Sequence, residues 1–303
     1  MCVELFHKDN TIALNIVHLS AKIALFLVHI GMPLSLTNQN PVLISLSLTV
    51  DAPQVKATDN SFEDGDQIGL YVSYDGDLKE QGNYSDNRKY TFKSGVWTSE
   101  SDLFWKDQES AADFYCYYPY AAPGNPLEYA FSVSANQSDL HSYKAADLLW
   151  GKCVGAVPSG GQVKIVTSHL MSNLLVYLKP GKGFTEEEFA AANKQLTVGN
   201  VKTDAVVNLS VGGISALGQP GTVTPYRDGD CYRLLLPPQE VAADADLLAV
   251  TVGESIYTAK KEFSFQKGTR HKLTVTVDKT QSSLDIAIEE WKIDETDHTA
   301  TVN

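Results

Sequence analysis

The sequence predicts an all-β protein built from β-sandwiches, on three observations. Apolar residues alternate with polar ones at a period of two in several separate runs, the signature of strands with one buried face. Glycine-containing steps that tolerate positive φ fall between those runs, at Asp64-Gly65, Asp75-Gly76, Gly82-Asn83 and Asp228-Gly229. Only one segment carries a helix signal. Many short strands with turns at this spacing indicate sandwiches.

Taken along the chain, residues 1–40 differ from the rest. An apolar run begins at Ile23-Ala24-Leu25-Phe26-Leu27-Val28 and reaches Leu36, interrupted by His29, Gly31 and Pro33. It suits a signal-peptide core and is short of the roughly 20 residues of a membrane span. Lys8 and Lys22 are offset by Glu4 and Asp9, and Cys2 precedes the run where a lipoprotein signal would place its cysteine after it. Two readings stand: a poor export signal, or a misassigned start fused to a truncated leader.

From residue 42 the alternation is regular. Val42, Ile44, Leu46, Leu48 and Val50 are apolar, with Ser45, Ser47 and Thr49 between them. The pattern returns in Leu273-Val275-Val277 and in Leu284-Ile286-Ile288. Thr185-Glu186-Glu187-Glu188 is a capping-box sequence followed by Phe189-Ala190-Ala191-Ala192, which predicts one short helix over 185–194. The Pro158-Ser159-Gly160-Gly161 break places a domain join near 160–168. The expected organisation is a leader-like or misassigned start segment over 1–40, one sandwich over 41–165 and a second over 166–303.

Composition excludes several functions. With 303 residues, 43% hydrophobic and 20% charged, the chain is that of a globular protein. Its 24 Lys and Arg against 37 Asp and Glu give a net charge of −13. That is the wrong sign for the cationic footprint a nucleic-acid partner requires, and for adhesion to anionic lipid through a basic surface. Four scattered cysteines (Cys2, Cys116, Cys153, Cys231) are no disulfide framework, and unpaired thiols are expected.

No motif assigns catalytic, cofactor-binding or metal-ligating residues. The Asp-Gly-Asp triplets at 64–66, 75–77 and 228–230 lack the third ligand and distal Glu of a calcium loop, and read as hairpin turns. Gly213-Ile214-Ser215-Ala216-Leu217 lacks the second glycine of a nucleophile elbow. The densest feature is Phe114-Tyr115-Cys116-Tyr117-Tyr118-Pro119-Tyr120. In a strand, Phe114, Cys116 and Tyr118 share one face and Tyr115 and Tyr117 the other, which favours packing over an exposed sugar-stacking strip.

An ordered series of strings carries a resemblance. It runs from Lys56-Ala57-Thr58 and Phe62-Glu63-Asp64-Gly65-Asp66-Gln67-Ile68-Gly69-Leu70-Tyr71 through Trp105, the 114–120 aromatics and Ala146-Asp147-Leu148-Leu149-Trp150. It continues through His169-Leu170 and Pro238-Gln239 to Ile286-Ala287-Ile288-Glu289-Glu290-Trp291. Over roughly residues 42–292 the chain resembles the fimbrillin-like family of Bacteroidetes surface proteins. The resemblance implies two transthyretin-like β-sandwich domains in tandem, no enzymatic activity, and display at the outer-membrane surface or in a fimbrium. It also implies export as a lipoprotein, so that membrane anchoring rests on family analogy alone. The implied partners are other fimbrial subunits, in a homo- or hetero-polymer, and host or bacterial surface ligands.

In that family a leading strand can be removed by a protease cutting after Arg or Lys, and a neighbour's strand then fills the groove. The residues suit such chemistry. Each apolar side chain of 42–50 is worth about 1.5–3 kcal/mol when fully buried. Lys56 follows in the polar stretch Gln54-Val55-Lys56-Ala57-Thr58-Asp59-Asn60 and is the expected processing site of a polymerising subunit, leaving a mature chain near 250 residues. The other reading is that 42–50 is the first strand of a stable, uncut sandwich. The strand-exchange residues are expected to be Val42, Ile44, Leu46, Leu48 and Val50, with Leu284, Ile286 and Ile288 of the last strand as a second element. The alternative, on the strength of 14 Tyr and 4 Trp, is a glycan-binding surface lipoprotein.

Overall fold

A computed structural model describes residues 40–51, 61–280 and 284–290. The leader-like segment expected over 1–40, but for its last residue, Lys56 and Trp291 lie outside the described residues. The all-β class is what the structure shows: strands dominate, and the described residues hold two short α-helices.

The first sheet has seven strands. In sheet order they are β1 (Leu46–Val50), β8 (Val163–His169), β7 (Leu149–Ala156), β5 (Ala112–Tyr118), β2 (Gln67–Ser73), β3 (Ser85–Lys93) and β4 (Val96–Ser99). The sheet curls until β1 approaches β4. Its concave face holds a first core that includes Ile44, Leu46, Ile68, Leu70, Phe114, Cys116, Val163 and Ile165.

A second core lies between two further sheets. One has the order β13 (Gly221–Val223), β10 (Lys194–Val201), β17 (Asp246–Val252), β18 (Ser255–Lys260). The other has the order β14 (Tyr226–Asp228), β15 (Cys231–Leu236), β9 (Ser172–Pro180), β20 (Arg270–Val277), β21 (Leu284–Glu290). Alternation directs Leu196 and Val198 from one and Leu174, Val176, Leu273 and Val275 from the other into the shared interior. The small sheets β12 (Gly213–Leu217), β11 (Asp204–Asn208), β6 (Tyr129–Ser132) and β16 (Gln239–Val241), β19 (Phe263–Phe265) supply Tyr129, Phe131, Val207, Phe263 and Phe265 to the same core.

The aromatic string divides as its period demands. Phe114 and Cys116 enter the first core, with Tyr118 packed against it, whereas Tyr115 and Tyr117 enter the second together with Tyr71 of β2. Strands β2 and β5 are therefore buried on both faces. The described residues from Val42 onward form one compact unit around these two cores. The Pro158-Ser159-Gly160-Gly161 break forms a 3-10 turn at Pro158–Gly160 between β7 and β8, inside the first sheet. The chain leaves that sheet after His169 and enters β9 at Ser172.

The expected helix is present as α2 (Glu186–Ala191), closed by the reciprocal Thr185 and Glu188 hydrogen bonds of a capping box. Lys194 donates to the carbonyls of Phe189, Ala190 and Ala192 at its other end. A second helix, α1 (Leu140–Ala145), corrects the expectation of a single one. Its N-cap Asp139 accepts from Ser142 N at 2.8 Å. Six residues are too few to display a 3.6-residue period, so the sequence held only the cap as a signal. The turn expected at Asp228-Gly229 joins β14 to β15, with Gly229 at φ 61° where a side chain is disfavoured.

Candidate functional site

The five alternating apolar residues of 42–50 occupy one continuous extended segment held by two different walls. On one side, β1 runs parallel to β8, with Leu46 opposite Val163 and Val50 opposite Thr167. Val163 N donates to Ser45 O at 2.8 Å, and Asp51 N to Thr167 O at 2.6 Å. On the other side, residues 42–44 lie antiparallel to Leu103, Phe104 and Trp105. Trp105 N donates to Val42 O and Ile44 N to Leu103 O, both at 2.8 Å. The amino-terminal half of the segment thus bonds to 103–105, and the carboxy-terminal half to β8.

Burial is graded along the segment. Ile44 and Leu46 are 3% and 5% exposed, while Val42, Leu48 and Val50 are half-buried. Val42 and Leu48 pack against the first core from its rim. The groove floor is aromatic: Trp105 meets Phe114 edge-on at 5.4 Å, and Phe62 meets Trp97 edge-on at 4.9 Å. Removing this segment would open the first core along both walls at once.

The second expected element is also an edge. Strand β21 pairs antiparallel with β20, placing Leu284 opposite Val277, Ile286 opposite Val275 and Ile288 opposite Leu273. Leu284 and Ile286 pack against the second core, and Ile288 is 36% exposed. The structure brings 42–50 and 284–288 to different sheets and different cores.

Other polar features have structural partners. Asp66 of the first Asp-Gly-Asp triplet accepts from Glu63 N and from the Tyr118 hydroxyl, and Asp64 from Ser94 N. Ser215 sits in β12 opposite Val206, on a strand and not at an elbow. Cys116, Cys153 and Cys231 are free thiols, and burial pushes that of Cys116 up to about 12. The aromatic residues behind the glycan-binding alternative turn inward. Trp97, Tyr115 and Tyr117 are buried, and Trp150 is half-buried with its indole N–H donated to Leu209 O at 2.7 Å.

The sequence did not reveal the walls. Residues 103–105 and 163–167 are far from 42–50 along the chain, and no local pattern states which strand pairs with which. Nor did it single out Tyr74 and Tyr84, which hold residues 104–106 from behind.

An all-β chain whose first and last described strands stand at the ends of two sheets is the class this geometry defines. The chain belongs to the fimbrillin-like family, whose model matches residues 56–291. It is 27% identical over 257 residues to a candidate fimbrium subunit, Fim1C, of Bacteroides uniformis, covering 78% of this chain and 80% of that one. Two crystal structures share its fold, both described as candidate cell adhesion proteins. One, from Bacteroides uniformis, has a TM-score of 0.64 at 21% identity, covering 82% of this chain and 99% of the other. The second, from Bacteroides ovatus, has a TM-score of 0.65 at 16% identity, covering 85% and 100%.

Proposed function

We propose that this protein is a non-enzymatic subunit of a surface fimbrium or adhesin, assembled by β-strand complementation with other fimbrial subunits. One observation carries the reading: the segment 42–50 closes the first core from two walls, yet continues directly into the polar stretch that contains Lys56. Cleavage after Lys56 would leave that segment held by main-chain bonds and apolar side chains alone. Its loss would expose an extended groove for an equivalent strand, in which backbone pairing supplies affinity and alternate pockets supply specificity. Strand β21 of a neighbouring subunit, with its alternating Leu284, Ile286 and Ile288, is the donor candidate.

Family membership and the fimbrium subunit among the relatives support the surface location and the polymeric partners. A lipid anchor in the outer membrane follows from family analogy. The test is mass spectrometry of the protein recovered from its native cell surface. An amino terminus at Ala57 is the expected result, and assembled material still carrying residues 42–56 overturns the cleavage. In the same preparation, deletion of 284–303 is expected to abolish polymer; unchanged polymer removes β21 from the role of donor.

A further inference from the structure

The apolar pattern of 42–50 does not fix a direction. Read backwards, Val42, Ile44, Leu46, Leu48 and Val50 still alternate, so an isolated strand of this composition fits the floor in either sense. Strand β8 alone would favour the opposite sense from the one observed, because antiparallel ladders are slightly more stable per residue than parallel ones. In the intact chain the covalent connection to residue 61 and beyond settles the matter. A strand arriving from another subunit has no such connection.

The remaining determinant of direction is the wall at Leu103, Phe104 and Trp105, antiparallel to residues 42–44. That wall is not held by the leading segment alone. The Tyr84 hydroxyl donates to Phe104 O at 2.8 Å, and Lys106 N donates to the Tyr74 hydroxyl at 2.8 Å. The two rings meet edge-on at 4.9 Å, and the Lys106 ammonium lies 5.5 Å from the Tyr74 ring centre. Tyr74 directly follows β2 and Tyr84 directly precedes β3, so both are anchored at the ends of paired inner strands of the first sheet. Next to the wall, Asp107 accepts from Glu109 N, Ser110 N and the Ser110 hydroxyl, which fixes the loop that follows.

We infer that Tyr74 and Tyr84 are positioning residues of the acceptor groove: they keep the 103–105 wall in place when the groove empties, and the wall admits a strand only in the direction of residues 42–50. This rests on the strand-complementation reading above.

The experiment uses the full chain with a sequence-specific protease site in place of residues 54–58. After cleavage, the leading fragment is exchanged for a dye-labelled synthetic peptide of residues 41–51, or for the same peptide with its sequence reversed. Dissociation is followed by fluorescence anisotropy. The expected result is retention of the forward peptide and rejection of the reversed one. In the Tyr74→Phe/Tyr84→Phe double variant the forward peptide is expected to leave about tenfold faster, through the loss of two hydrogen bonds, and the preference for direction to fall by a similar factor. Amide exchange at Leu273 in β20 reports that the variant remains folded. A variant with the wild-type preference for direction overturns the role of the tyrosines and leaves strand complementation standing. Equal binding of both peptides by the wild-type protein overturns the role of the wall. If the cleaved wild-type chain accepts neither peptide, complementation fails and this inference with it.

Discussion

Gly69 faces the ring of Tyr117 so closely that a Cβ built there would lie 2.2 Å from Tyr117 Cε1 and 2.4 Å from Asn87 Oδ1. The ring cannot retreat. Its hydroxyl lies 2.7 Å from Asn87 Oδ1 and 2.8 Å from Ala121 O, two acceptors for its one proton, while Asn87 Nδ2 donates to the same carbonyl. Gly69→Ala is therefore expected to destabilise the protein by about 1–3 kcal/mol, the usual cost of overpacking a filled interior. Urea denaturation of the two proteins measures it; an unchanged midpoint would mean the ring and Asn87 have room to move. The sequence placed Gly69 inside the string Gln67-Ile68-Gly69-Leu70-Tyr71 and could not say why a glycine stands there. The reason is a contact from β5, a strand remote along the chain.

Among the elements, the leading segment is worth most where it is deepest. Ile44→Ala and Leu46→Ala are each expected to cost about 2–4 kcal/mol, and Leu48→Ala or Val50→Ala distinctly less, because the latter side chains sit at the rim. Thermal or denaturant unfolding of the four variants checks the order; a flat series would contradict the graded burial. The strand itself was legible because a period of two needs only neighbouring residues. So was α2, because a capping box announces itself in four residues. The same rule explains what was hidden. Helix α1 is shorter than its own period requires, and the parallel pairing of β1 with β8 joins segments that share no local signal. The proline-glycine break that suggested a join near 160–168 likewise forms a turn between two neighbouring strands of the first sheet. Pro and Gly mark a turn without saying what the turn connects.

At the scale of the whole molecule, β2 and β5 give one face to each core, and the tyrosines between them set an alkaline limit. Burial, first among the causes, pushes Tyr71, Tyr117 and Tyr118 above the ordinary phenol range, and Tyr129 up to about 12. An unfolded tyrosine ionises near 10. The folded state thus keeps protons that the unfolded state gives up, and stability present below pH about 10 is lost as pH rises from there toward the folded values. Tyrosinate absorbance is expected to lag behind that of free tyrosine and then rise cooperatively with unfolding. A titration that follows free tyrosine throughout would show these phenols to be open to solvent. The pairing of cores across β2 and β5 also has a mechanical side. For a subunit pulled by neighbours through a donated strand in the place of β1 on one core and through β21 on the other, tension crosses the molecule through those two central strands. Force directed along a strand seated there loads the whole ladder along Val163 to Thr167 of β8 in shear, so its hydrogen bonds share the load where a peeling geometry would break them singly.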